Sequence, residues 1–235
     1  MTPIDFDQIA LAPNEKRWAM IDRADHYLKW LYENNPAPNY EYLFDDTELI
    51  DVMQVGPIVL ALNNDADLVW LNEKAQSDDK MSLMIISSSL TTEQVLAKLR
   101  ANTIVMFAEN RKGIFRYFDK RVASYFFQHE NLNNLFHGFS AIYWFGNTYG
   151  QLETQGHRWW GCFNDSDSHN PEFVHSTSHL DGALPARPIV RLNQGQMQRL
   201  NRMQQDKQAL LRASKIAQPE FVQAPKQLIP SVFSQ

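Results

Sequence analysis

Along the first half of the chain, apolar positions alternate between two periods, and each change of period predicts a new element. RWAMID (17–22) is a short apolar run of the kind a buried strand shows, ending at Asp22. In ADHYLKWLYEN (24–34), Tyr27, Leu28, Leu31 and Tyr32 recur at helical spacing, and Asp22 stands where a cap for that helix is expected. NNPAPNY (34–40) reads as a loop, and an acidic stretch, EYLFDDTELIDVM (41–53), follows it. VGPIVLAL (55–62) predicts a strand that begins at Pro57, because proline has no N–H for an interior ladder position.

The alternation continues with a helix over ADLVWLNEKA (66–75) and a buried strand over MSLMIISS (81–88). TTEQVLAKLR (91–100) predicts a helix opened by Thr91 and Gln94 in capping-box spacing. TIVMFA (103–108) and IFRYF (114–118) read as a hairpin, with a glycine in the ENRKG loop suited to positive φ. On that reading Ile114, Arg116 and Phe118 share one strand face, and Arg116 needs a carboxylate such as Asp22. Asp119 then caps a helix over DKRVASYFFQ (119–128).

The second half has another texture. NLNNLFHGF (131–139) predicts a short helix. AIYWFG (141–146) and HRWWGCF (157–163) are aromatic and extended, joined by the polar NTYGQLETQG. Residues 164–188 are polar and rich in turn formers, which predicts a long loop. Residues 190–217 read as one helix with a narrow apolar stripe of Met197, Leu200 and Met203. The expected fold is therefore α/β (α+β). A first lobe, 1–128, has a mixed β-sheet flanked by helices. A smaller second lobe, 129–217, has aromatic segments and a long helix, and a Pro-containing extended tail spans 218–235.

Composition narrows the function. The 235 residues are 44% hydrophobic and 21% charged, as expected of a globular protein. No apolar run approaches the ~18–20 residues that span a bilayer, and no secretory signal is visible, so no membrane partner is expected. Cys162 is the single cysteine, which fits a cytoplasmic location. The net charge of −5 hides an asymmetry: residues 1–186 carry 14 Lys+Arg against 25 Asp+Glu, and residues 187–235 carry 8 against 2. An acidic body lacks the broad positive face that nucleic acid needs.

Four features are candidate chemistry. Arg116 and Asp119 resemble the remains of an active site, but strand, cap and helix account for both, and no nucleophile or base stands at a recognisable spacing. His157, His169, His175 and His179 lie near Asp165, Asp167 and Cys162, which makes a metal-dependent hydrolase the rival reading, although HSTSH lacks the glutamate of a zinc-protease helix. Trp159 and Trp160 point to opposite faces on a strand, one as core and the other as a candidate interface anchor. The late helix presents Arg199 and Arg202 beside its Met/Leu stripe, a pattern suited to docking a partner.

Taken in order, WAMIDRAD, YLF (42–44), VGPIVLAL, SSSLTTEQVLAKLR and IFRYFDKRV resemble the type VI secretion effector adaptor/chaperone family, formerly a domain of unknown function, over residues 17–128. The family's motif positions fall on Asp22, Gly56, Pro57, Arg116, Asp119 and Arg121. The resemblance implies a non-enzymatic cytoplasmic adaptor of a Gram-negative bacterium, without a cofactor. Its implied partners are a toxic effector and the VgrG spike onto which that effector is loaded. The expectation is that Trp159 or Trp160, with Met197, Leu200, Met203, Arg199 and Arg202, takes the effector.

Overall fold

The computed structural model describes residues 2–9, 15–129, 132–164 and 189–217. The fold is a mixed α+β architecture with a seven-stranded sheet, a three-stranded sheet and seven helices among those residues. The large sheet contains β1 (Thr2–Pro3), β2 (Lys16–Ile21), β3 (Tyr40–Tyr42), β4 (Ile58–Leu62), β5 (Leu83–Ser88), β8 (Ala141–Gly146) and β9 (Arg158–Phe163). The small sheet contains β6 (Ile104–Met106), β7 (Lys112–Ile114) and β10 (Val190–Arg191). The helices are α1 (Ala24–Asn34), α2 (Asp65–Ser77), α3 (Thr92–Ala101), α4 (Lys120–Phe126), α5 (Leu132–Leu135), α6 (Tyr149–Gln155) and α7 (Gln194–Ala217).

The large sheet, in the order β1-β9-β8-β5-β2-β4-β3, is antiparallel at every pairing, where the sequence predicted a mixed one. The reason lies in the crossover. β4 and β5, joined by α2, run in the same direction, but β2 lies between them and pairs antiparallel with both. Alternating strands and helices thus form a split βαβ unit. Mixed pairing occurs in the small sheet, where β10 is parallel and β7 antiparallel to β6.

Both sheet faces are covered, so the central strands read as continuous apolar runs. Trp18, Met20, Met84, Ile86, Ile142 and Trp144 face one core with α3 and α4; Ala19, Ile21, Leu83, Ile85, Tyr143 and Phe145 face the other with α1 and α2. Each such large side chain contributes about 1.5–3 kcal/mol when fully buried. The sheet also crosses the lobe boundary expected at residue 128: β8 pairs with β5 in register from Met84–Trp144 to Ser87–Ala141. Hydrogen bonds and packing therefore join the aromatic segments of the second half to the first.

Three local readings are corrected. Residues 190–191 form β10, and α7 starts only at Gln194, because Asn193 and Gln196 exchange backbone-to-side-chain hydrogen bonds as a capping box. The polar NTYGQLETQG linker contains α6, opened by the same device at Thr148 and Gln151. In the β6–β7 turn, Glu109 (φ 58°) and Asn110 (φ 56°) are the left-handed residues; Gly113 sits in β7 with Phe107 against it.

Candidate functional site

The chain leaves β7 at Ile114 and does not extend as a strand to Phe118. Asp119 N–H donates to Arg116 O at 2.9 Å, closing a turn. A strand would send successive aromatics to opposite faces, whereas the turn brings Phe115, Tyr117 and Phe118 into one core. Tyr117 Oη donates to Leu99 O at 2.9 Å in that core. Asp119 then caps α4, accepting from the N–H groups of Arg121 and Val122 at 2.8 and 3.3 Å.

The turn directs Arg116 at Asp22, with Nη2 to Oδ2 at 2.6 Å. Asp22 does not cap α1 as expected. The residue before that helix is Arg23, with φ 61°, and the first helical N–H, that of Ala24, goes to Gly56 O at 2.9 Å. Burial pushes the Asp22 carboxyl above its usual value, and the Arg116 guanidinium only partly offsets this. The guanidinium also lies over the Phe118 ring, 5.7 Å from its centroid, and Phe118 meets Phe44 edge-on at 6.1 Å. Phe44 in turn occupies the space beside Gly56, where a Cβ would stand 2.4 Å from its ring. Pro57 precedes β4 and accepts from Leu43 N–H at 2.9 Å. Asp22, Gly56, Pro57, Arg116 and Asp119 therefore belong to one junction that ties four chain segments together. Arg121 lies at its margin, with its guanidinium over the Tyr149 ring at 5.2 Å.

Beside the junction runs a groove of about 500 Å³. One wall is α7, which contributes Met197, Leu200 and Met203. The other is the hairpin and α4, with Ile114, Phe115 and Val122. Arg111, Lys112 and Arg116 line it as well, and among the described residues no carboxylate does. The hairpin and α4 wall was not legible as part of a site, although the cations of ENRKG were in plain view. Tyr125 and Asp206 were missed too: Tyr125 Oη donates to Asp206 Oδ2 at 2.6 Å and accepts from Tyr149 N–H at 3.1 Å, fixing α7 against α4 and α6. Arg199 packs over the Phe126 ring at 5.5 Å, and Arg202 is exposed, 3.9 Å from Asp206.

The tryptophans are not brought to this groove. Trp159 and Trp160 are 4% and 5% exposed and belong to the two opposite cores. Their indoles donate to Asn72 Oδ1 and Gly146 O at 2.9 and 3.0 Å. Neither presents a face to a partner, because both sides of the sheet are covered. His157 Nε2 lies 2.5 Å from Asp79 Oδ1. His169, His175 and His179 lie outside the described residues, within which no three His, Cys, Asp or Glu side chains gather as a metal site.

A family model described as a domain of unknown function, DUF4123, matches residues 18–135. The chain belongs to this family. The family is associated with type VI secretion effector adaptors. Comparison with curated proteins and with solved structures gave no match. Among the described residues, no helix is long and apolar enough to cross a membrane.

Proposed function

We propose that this DUF4123 protein is a cytoplasmic type VI secretion effector adaptor that binds an effector and helps load it onto the VgrG spike, by recognition without turnover. The observation that carries this reading is the position of the family match. Residues 18–135 supply the Asp22–Arg116 junction and one wall of the groove, while α7, outside the match, supplies the other. A wall from the family segment and a wall from the rest of the chain suit an adaptor that serves one system but holds its own cargo. The lining is apolar side chains, cations and amides, a set suited to gripping protein.

The test is co-expression of the tagged chain with candidate effectors and the spike protein from the same bacterium. One effector is retained, and adding the spike yields a complex containing both. Retention of neither would overturn the reading. So would Arg116 and Asp119 variants that stay folded yet lose a measurable turnover of a small substrate.

A further inference from the structure

The hairpin wall of the groove ends in an open strand edge. β7 is the outermost strand in the order β10-β6-β7, and among the described residues no strand lies beyond it. The register fixes which of its backbone groups look outward. Phe107 N–H donates to Arg111 O at 2.8 Å and Phe115 N–H to Thr103 O at 2.7 Å, so Val105 and Gly113, midway between, form the bonded pair of the same series. Lys112 and Ile114 occupy the alternate positions, opposite Met106 and Ile104, and turn their N–H and C=O away from β6. The groove takes lining from both faces of the hairpin, Phe107 and Arg111 from one and Lys112 and Ile114 from the other. It therefore runs along the strand's edge and not over either face. Native proteins blunt open edges, and this one carries Lys112 but leaves Ile114 44% exposed.

Charge selects the occupant. Among the described residues three cations and no carboxylate line the groove, in a body whose residues 1–186 carry a clear acidic excess. Lys112 is held by Glu48 at 2.5 Å and Arg116 by Asp22 at 2.6 Å, which leaves Arg111 to meet a partner's carboxylate. Arg111 is 71% exposed, and its acidic neighbour Glu109 stands 4.0 Å away, a surface pair worth little. An acidic side chain is repelled by most of this surface and drawn to Arg111.

We propose that β7 accepts an extended acidic segment of a partner protein as a further strand. Its alternate apolar side chains seat against Ile114, Met197, Leu200 and Met203, and its carboxylates, on the opposite face, meet Arg111. Main-chain hydrogen bonds to Lys112 and Ile114 supply affinity, and the side chains supply specificity. The proposal rests on the adaptor reading only for which protein carries the segment.

The test selects a random ten-residue peptide library, displayed on phage, against the full chain. Enriched sequences alternate apolar residues with Asp or Glu. A synthetic peptide of that sequence binds Lys112→Pro roughly tenfold more weakly than Lys112→Ala, since proline removes the outward N–H that alanine keeps. Independently of any variant, hydrogen exchange at the Lys112 and Ile114 amides slows when that peptide binds. The proposal is overturned if selection returns nothing, as when residues 218–235 already fill the groove, or if the enriched peptides lack acids. Protection appearing elsewhere, or a dimer that Lys112→Pro dissociates, overturns it equally. Binding of the selected peptides by a chain that retains no effector would sink the adaptor reading alone. Effector retention that Lys112→Pro leaves intact, with peptide binding lost, keeps both and separates their sites.

Discussion

Arg116 Nη2 and Asp22 Oδ2 meet at 2.6 Å across 94 residues of chain, with Asp22 9% exposed and Arg116 52% exposed. Because the guanidinium is half in water, its loss costs less than breaking a fully buried pair. It still strips a buried carboxylate of its counter-charge. Arg116→Ala is expected to lower stability by about 1–3 kcal/mol. Asp22→Asn in the same chain regains part of that, since the amide needs no counter-charge. Urea denaturation of the two single variants and the double variant measures the coupling. An Arg116→Ala chain as stable as the wild type would mean that the junction is not held by this pair.

Gly56→Ala tests the same junction through space. Gly56 has φ −82°, which any residue adopts, so the cost is steric and not conformational. The new Cβ would stand 2.4 Å from the Phe44 ring, which is itself held by Phe118. A loss of about 1–3 kcal/mol is expected. Adding Phe44→Leu relieves the overlap and moves the denaturation midpoint back toward the wild type. An unchanged midpoint in Gly56→Ala would show that the ring shifts freely.

The elements were legible where local signals decide them. ADHYLKWLYEN matches α1 from its first residue to its last, and the Thr91–Gln94 capping box opens α3 as read. Sheet order was not legible, because periodicity says which face is buried and not which strand lies alongside; β2 between β4 and β5 is a product of long-range packing. α6 was missed although Thr148 and Gln151 stand in capping-box spacing, because its seven residues are mostly polar and carry no apolar repeat. Of the groove, the α7 stripe could be read from Met197, Leu200 and Met203. The facing wall could not, because the turn at Arg116–Asp119 replaces the strand alternation that the sequence suggested.

Trp160→Ala separates core from interface. A surface anchor would lose binding and keep its fold. Trp160 is buried beside Trp144 and Cys162, with its indole N–H on Gly146 O, so the substitution is expected to cost about 3–5 kcal/mol. Trp159→Ala is expected to behave alike from the opposite core, with the further loss of its bond to Asn72. Thermal unfolding checks both: a Tm within a degree or two of the wild type for either variant would contradict its place in the core.

His157 predicts a pH dependence of stability between 7 and 5. Its Nε2 meets Asp79 Oδ1 at 2.5 Å, and the buried Lys120 ammonium reaches Asp79 O, also at 2.5 Å. Burial first, and then the Lys120 charge, lower the imidazole below its ordinary 6.5, outweighing the pull of Asp79. Burial works upward on Asp79, but His157 and Lys120 outweigh it and keep the carboxyl below its usual value, so it stays ionised throughout this window. As pH falls past 6.5, the unfolded chain takes up a proton on His157 that the folded chain refuses. Stability contributed by the neutral imidazole is thus present above that pH and lost on acidification. His157→Gln keeps an N–H donor for Asp79 and does not titrate. Its stability is expected to fall less steeply from pH 7 to pH 5, by a slope of up to about 1.4 kcal/mol per pH unit, the limit for one proton. Urea titrations of both chains at half-unit pH steps read that slope, and parallel curves would place the histidine's proton uptake outside the folding equilibrium.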